Sequence, residues 1–127
     1  MHRMFWVSVG VAVFGGLGSL ARFGVNELML KFTKYPAGTL TVNVLGAFLI
    51  GCVYGALTDP PTGGTNFWRI ILATGFLGGL TTFSSMVNEA DGMMSNTAYL
   101  RAAGYLAASL FLGLIAVRLG SIVGKAM

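Results

Sequence analysis

The stretch GFLGGLTTFSSM, residues 75–86, is the part of the sequence that decides the fold. It places two adjacent glycines, Gly78 and Gly79, and four hydroxyl side chains inside a hydrophobic run. Each glycine costs roughly 1 kcal/mol of helix propensity relative to alanine, so the pair favours a break in a helix. A break within lipid frees backbone N–H and C=O groups, which protein, water or an ion must satisfy, and broken helices commonly form ion sites. The alternative is a helix that is kinked for packing, with its hydroxyls bonded to the preceding turn.

Uncharged runs of membrane-spanning length lie on both sides of this stretch. A helix that crosses the hydrocarbon core needs about 20 apolar residues. The uncharged runs cover residues 4–21, 35–58, 70–88 and 102–117. The fourth is slightly short, but Arg101 and Arg118 at its ends can extend towards the headgroups. Because only 9% of the 127 residues are charged, against about 25% in soluble domains, we predict an all-α membrane protein.

The turn signals set the bounds of four predicted transmembrane helices that form a single domain over residues 1–127. We expect helices over residues 4–30, 38–57, 68–90 and 98–123, the third of them broken mid-membrane, with Asn96 or Thr97 as the N-cap of the fourth. The first helix resembles a signal peptide at its start. However, Arg22 and Glu27 stand where a small-residue cleavage site would lie, so we interpret it as a retained helix.

The positive charges are almost evenly divided between the two sides of the predicted bundle. One side carries Arg3, Arg69, Arg118 and Lys125, and the other carries Lys31, Lys34 and Arg101, with Arg22 half-buried near it. The positive-inside rule therefore gives almost no preferred orientation. Either the count is uninformative in so small a protein, or the chain inserts both ways and pairs as an antiparallel homodimer.

Polar side chains occur at helical spacing inside the other spans. Thr39 and Asn43 are four residues apart and share a helix face, as do Tyr105 and Ser109. These groups are able to donate to an anion, or they form interhelical hydrogen bonds that only hold helices together. Arg22 is the deepest predicted charge, and it either faces a polar vestibule, where it attracts anions, or extends towards the helix end.

Several function classes lack the residues that they need. The four acids, Glu27, Asp59, Glu89 and Asp91, are all predicted near helix ends or in loops, which disfavours a cation or proton pathway. His2 is the only histidine and Cys52 the only cysteine, so nucleophilic catalysis and a His- or Cys-based metal site are excluded. We therefore expect no enzyme and no nucleic-acid partner.

Together these residues resemble the Fluc (CrcB-type) family of fluoride channels. Three motifs carry the resemblance along the whole chain: Gly-x-x-x-Arg ending at Arg22, Gly-Thr-Leu-x-x-Asn ending at Asn43, and the segment of residues 75–86. The resemblance implies a passive, fluoride-selective channel in the plasma membrane (a bacterial inner membrane), formed as a dual-topology antiparallel homodimer with two pores. It also implies a structural sodium ion on the dimer axis, bound by the main-chain carbonyls of Gly78 and Thr81. The resemblance places Asn43, Phe83, Met86, Tyr105 and Ser109 in the fluoride pathway, and the polar residues Arg22, Thr39, Thr82 and Ser84 complete the pathway that we predict.

The sequence departs from the family pattern at three positions. Met86 stands where the family has a second phenylalanine, Ser85 stands where threonine is usual, and Gly113 occupies the next step of the Tyr105–Ser109 line. Two rival functions stay open at this point. A small multidrug antiporter has the same size and topology but needs a carboxylate within its first helix, and a structural subunit would use these polar groups only to join helices.

Overall fold

A computed structural model of the chain describes all 127 residues and contains only helices. Helix α1 spans His2–Leu30 and α2 spans Ala37–Ala56. The next helix, α3, is continuous through Phe67–Ile70, Ile71–Leu77 and Gly78–Leu80, and α4 spans Phe83–Ser95. Helix α5 spans Tyr99–Ala126. With α3 and α4 counted as one span, four spans are long and apolar enough to cross a membrane, which confirms the predicted number.

The predicted break in the third span is confirmed, and it lies at Thr81 and Thr82. Both residues have extended backbone, with φ and ψ of −89° and 153° at Thr81 and −151° and 117° at Thr82. The glycines that favour the break, Gly78 and Gly79, are still helical and lie just before it. A feature that the sequence did not predict precedes them, because Ile71–Leu77 forms a π-helix.

Glycines fix which helices pack together. A methyl group on Gly79 would collide with the Gly15 carbonyl of α1, and one on Gly18 would collide with the Phe76 carbonyl of α3. The second pairing joins α2 to α5, where Gly51 lies against the backbone at Val117 and Ser121. Small residues let helix backbones approach closely in lipid, so these contacts determine the two tight helix pairs of the fold.

The loop between α2 and α3 closes one end of the bundle. Arg69 pairs with Asp59 and lies over the Tyr54 ring, with its guanidinium carbon 4.8 Å from the ring centroid. The backbone N–H of Asn66 donates to Asp59 and, together with Arg69, holds the pKa of that carboxyl below its ordinary value. The charge of Arg69 is thus neutralised by Asp59 within the chain.

The predicted N-cap of the last helix is wrong. Neither Asn96 nor Thr97 caps α5, whose N-cap position is Ala98 and has no side-chain hydrogen bond. The Asn96 side chain donates instead to the Gly92 carbonyl at the end of α4, and Thr97 has a positive φ of 60°. Both residues thus terminate the preceding helix, because the turn between α4 and α5 is too short to serve both helix ends.

Candidate functional site

A carboxylate held by two hydroxyls forms the centre of the site. Thr39 Oγ1 donates to Glu89 Oε1 at 2.6 Å, and the Tyr105 hydroxyl donates to Glu89 Oε2 at 2.6 Å. Thr39 is only 2% exposed, and Tyr105 is also buried. We call Thr39, Glu89 and Tyr105 the carboxylate cluster, and it joins α2, α4 and α5.

The prediction that Glu89 lies near a helix end is wrong. Glu89 lies inside α4, half-buried, with both carboxylate oxygens bonded to neighbouring helices. A signal for it was present, because Phe83, Met86 and Glu89 follow one another at intervals of three. Residues three apart share a helix face. Met86 and Glu89 therefore share a face of α4, whereas Phe83, at the first residue of the helix, is exposed.

Two other predicted pathway residues pack directly beside the carboxylate cluster. Met86 is 6% exposed and forms a small core with Ala90, Ala102 and Tyr105. The Ser109 hydroxyl donates to the Tyr105 carbonyl at 2.7 Å, so it bonds to its own helix one turn back. The structure thus brings Thr39, Met86, Tyr105 and Ser109 into one region, around an acid that the sequence analysis had not included.

Asn43 bonds to the backbone at the helix break. Its Nδ2 donates to the Thr82 carbonyl at 3.1 Å, and its Oδ1 accepts from the Thr82 N–H at 2.8 Å. The Thr82 side chain caps α4 by accepting from the Ser85 N–H at 3.2 Å. We call Asn43 and Thr82 the break cluster. Within the chain, the Asn43 amide satisfies backbone groups that the break exposes, and its second N–H is left free to donate.

The break also frees carbonyl groups of α3. The helical partner of the Gly78 carbonyl would be the Thr82 N–H, which donates to Asn43 instead. The helical partner of the Thr81 carbonyl would be the Ser85 N–H, which donates to the Thr82 side chain. Gly78 and Thr81 line one cavity of about 240 Å³ together with Asn43 and Gly46. The two residues whose carbonyls lose their helical partners thus line one cavity at the break, and no carboxylate lines it.

Phe83 and Ser84 point away from the rest of the chain. Phe83 is 75% exposed, whereas Met86, one turn later, is buried. Ser84 is exposed as well, and its hydroxyl contacts only that of Thr82, at 3.2 Å. The two positions at which the family has phenylalanines therefore differ in a single chain, since one lies in its core and the other on its surface.

Arg22 and Asn26 are half-buried polar residues one turn apart on α1. Arg22 Nε and Asn26 Oδ1 are both buried and make no hydrogen bond within the chain. Asn26, which the sequence analysis did not consider, lines a cavity of about 170 Å³ with Thr39 and Glu89. Its position four residues after Arg22 is the signal that pointed to it. Arg22 does not line that cavity.

Side-chain metal chemistry has no place in the structure. No group of three or more His, Cys, Asp or Glu side chains is arranged to hold a metal ion. The donors that remain are backbone carbonyls, hydroxyls and amides, which suit hard monovalent ions and anions. The arrangement favours ion passage over covalent chemistry.

Comparison with known proteins gives a consistent result. The sequence model of the family described as CrcB-like protein, Camphor Resistance (CrcB), matches residues 9–121. A protein named fluoride-specific ion channel FluC from Caulobacter vibrioides is 40% identical over 127 positions, which cover 98% of this chain and 97% of the relative. Relatives with the same name from a Hydrogenobaculum species and from Thermococcus gammatolerans are 40% and 35% identical, covering 91% and 94% of this chain and 95% and 96% of their own lengths.

Proposed function

The chain belongs to the CrcB-like protein family, and from this premise we propose that it is a fluoride-selective channel that passes fluoride passively across the plasma membrane. The observation that carries the proposal is its 40% identity, over nearly the whole chain, to proteins named fluoride-specific ion channel FluC. A channel of this kind has no catalytic residue. The rival antiporter is disfavoured because Glu27, the only acid of α1, is exposed near the helix end.

The carboxylate cluster provides a mechanism for dehydrating fluoride. Fluoride is small and strongly hydrated, so a pore must replace its water with hydrogen-bond donors. Thr39 and Tyr105 each have a single O–H, and both O–H groups are donated to Glu89. A fluoride ion that accepts these hydrogen bonds must therefore displace a carboxylate oxygen. We infer that Glu89 holds the two donors in place between ions, and that its carboxylate moves away when fluoride binds, because two anions at one site repel each other.

Donors at the break supply the next step of the pathway. The second Asn43 N–H lies at the break, and the Ser84 hydroxyl and the electropositive ring edge of Phe83, both on the exposed surface beside it, would face a pathway that a second copy completes. Each is a weak partner for an anion compared with bulk water. Several weak sites in series allow an ion to leave as readily as it arrives, which passive conduction requires.

The channel is proposed to be an antiparallel homodimer with two pores. Irregular backbone at membrane depth is tolerated only where protein covers it or where it lines a water-filled cavity. In one chain Thr81 and Thr82 are only partly covered, and Phe83 beside them is 75% exposed. A second copy packed on this face would cover the break and complete the pathway. The nearly even division of positive charges between the two sides supports opposite orientations of the two copies.

A structural sodium ion at the dimer axis is part of the proposal. Gly78 and Thr81, whose carbonyls would hold it, line the same cavity, and both carbonyls have lost their helical N–H partners, so the donor set fits a hard cation. One chain offers two such oxygens, and a symmetry-related chain would contribute another two. When bound, the ion supplies a positive charge that compensates the freed carbonyls and favours a nearby anion.

Fluoride efflux from proteoliposomes tests the proposed function. Purified protein is reconstituted into vesicles loaded with potassium fluoride, and a fluoride electrode records release after valinomycin sets the membrane potential. We expect rapid release that does not change when a proton gradient is imposed or abolished. Release no faster than from protein-free vesicles would support the non-transporting subunit, and release that requires a proton gradient would support an antiporter.

A further inference from the structure

An open cavity of about 530 Å³ lies at the end of the bundle where α1 meets α2 and α4 meets α5. Two cations line it: Lys34 from the loop between α1 and α2, and Arg101 from the start of α5. We propose that this cavity, the outer basin, collects small inorganic anions from water and delivers them to the carboxylate cluster. The inference rests on the proposed function. The residues that define the basin are Lys34, Tyr35, Glu89, Met93, Asn96 and Arg101.

Neither cation of the outer basin is neutralised by a carboxylate. The only ion pair in the chain is that between Arg69 and Asp59, at the opposite end of the bundle. Arg101 is instead held over the Tyr35 ring, with its guanidinium carbon 5.1 Å from the centroid, in a cation–π contact that positions the charge without cancelling it. The basin thus combines two uncompensated positive charges with one acid, Glu89, whose oxygens both accept hydrogen bonds.

The outer basin borders the inner cavity of about 170 Å³. The two cavities share four lining residues, and one of them is Glu89 of the carboxylate cluster. Beyond Glu89, the inner cavity is lined by Thr39 and Asn26. The shared residues are Leu30, Tyr35, Pro36 and Glu89. An anion in the basin therefore reaches Glu89, the carboxylate to which Thr39 and Tyr105 donate.

The chemistry of the basin fits capture better than selection. Two cations outnumber the single acid Glu89 in the basin, and clefts with an excess of one sign of charge raise local ion concentration and association rates, by about 10- to 1,000-fold where only one sign is present. The exposed ammonium of Lys34 and the guanidinium of Arg101 attract any small anion, whether fluoride or chloride. We assign discrimination to the carboxylate cluster and the break, and to the basin only the supply of ions. Its contribution depends on ionic strength, because salt screens exposed charges.

The experiment measures initial fluoride efflux as a function of fluoride concentration for the double variant Lys34→Gln/Arg101→Gln. Vesicles of neutral phosphatidylcholine are used at ionic strengths of about 10 mM and 300 mM, where the Debye length is roughly 30 Å and below 10 Å. At the lower ionic strength we expect the half-saturating fluoride concentration to rise about three- to tenfold, with the maximal rate unchanged. At the higher ionic strength the variant and the unchanged protein should converge.

Two further variants separate capture from structural damage. Arg118→Gln/Lys125→Gln removes the same charge from the opposite half of α5 and should leave the half-saturating concentration within about twofold, because these residues do not line the basin. Arg101→Lys retains the charge and should restore most of the apparent fluoride affinity. A fall in maximal rate at both ionic strengths would indicate a purely structural role and overturn the proposal.

The membrane itself is the competing source of anions for the basin. Cations at a helix end also bind the phosphates of anionic lipids. The same titration is therefore repeated with phosphatidylglycerol in the vesicles. An effect of the double variant that appears only in these vesicles would mean that the basin holds a lipid headgroup, and would overturn ion capture. Absence of fluoride flux in the unchanged protein would instead defeat the proposed function.

Discussion

The two halves of the broken third span differ in how completely one chain covers them. Helix α3 is clamped against α1, and five of its residues, Ile71, Ala73, Gly75, Leu77 and Leu80, are buried. Helix α4 buries only Met86 and Ala90 and exposes Phe83 and Val87. The first half is therefore part of the finished fold. The second half carries the polar groups of the candidate pathway on a surface that another chain is proposed to cover.

This difference indicates that stability and transport are separated along one span. The contacts of α3 with α1 include close glycine-to-backbone contacts, at Gly79 and at Gly18 of α1, that tolerate no added atom. The polar contacts of α4 and its N-cap Thr82 are hydrogen bonds through Glu89 and Asn43, whose donors and acceptors can exchange partners. Substitutions in α3 should therefore remove folded protein, and substitutions in α4 should change the rate of fluoride passage.

The largest effect is expected at Gly79. A methyl group there would collide with the Gly15 carbonyl and lie 3.0 Å from the Ser19 nitrogen, so Gly79→Ala forces α1 and α3 apart. Overpacking of this kind costs about 1–3 kcal/mol, and the variant should unfold at lower temperature in detergent. Gly92→Ala in α4 is the matched control, since nothing lies within 4 Å of its added methyl group. Equal melting temperatures for the two variants would remove the distinction between the halves.

The contact between Asn43 and Thr82, at the break between α3 and α4, should give the next largest effect. Asn43→Leu keeps the approximate volume of the side chain but leaves the Thr82 N–H and carbonyl without partners. Each unsatisfied backbone group costs about 1–3 kcal/mol, and the variant also loses its free donor. We expect fluoride efflux to fall at least tenfold while the protein still elutes from size exclusion at the volume of the unchanged protein. Efflux at the original rate would exclude Asn43 from the pathway.

Phe83 tests the exposed half directly. Phe83→Leu keeps an apolar side chain at this 75% exposed position but removes the electropositive ring edge. The fluoride rate should fall about tenfold, with no change in melting temperature. Phe111→Leu on α5, where the ring is also exposed, is the control and should leave the rate unchanged. If both variants lower the rate equally, the loss reflects general aromatic contact with lipid or partner.

A substitution of Glu89 should change both the half-saturating fluoride concentration and the maximal rate. Glu89→Gln retains the shape but adds N–H donors, which bind fluoride more tightly and slow its release. We expect the half-saturating fluoride concentration to decrease and the maximal rate to fall about three- to tenfold. Asp91→Asn, an exposed acid on the same helix, should behave as the unchanged protein. A higher maximal rate in Glu89→Gln would contradict the exchange of fluoride with the carboxylate.

Met86 should give the smallest effect. Met86→Phe introduces the aromatic residue that the family pattern has, in a core with Ala90, Ala102 and Tyr105. Swaps between apolar residues of similar volume usually cost less than about 1.5 kcal/mol, so the protein should stay folded. We expect the fluoride rate to rise by no more than about threefold, measured beside the unchanged protein. A loss of tenfold or more would show that the thioether itself is required.

The sequence predicted the spans better than the site because the two depend on different information. The number of spans and the broken third helix follow from local composition, and both are confirmed. The position of the break within that span depends on Asn43, which lies 39 residues away and bonds to Thr82. Helix pairing was not readable, because a glycine in the sequence does not show which backbone it will meet. Which helices pair is decided by tertiary contacts.

Glu89 shows the same limit for the site. In the sequence it is one of four acids near predicted span ends, and the third span was expected to end close to it, at residue 90. In the structure α4 continues to Ser95, and hydroxyls from α2 and α5 converge on its carboxylate. Met86 lies three residues before Glu89, so the two residues share a face of α4. Only the tertiary contacts with Thr39 and Tyr105 distinguish it from the exposed acid Asp91.

We propose that the polar groups of α4 and its neighbours replace the hydration of fluoride specifically. This selectivity is tested most directly by measuring fluoride and chloride efflux from matched proteoliposomes containing the unchanged protein. We predict rapid fluoride release and chloride release close to that of protein-free vesicles. Equal release of the two anions would contradict the claim.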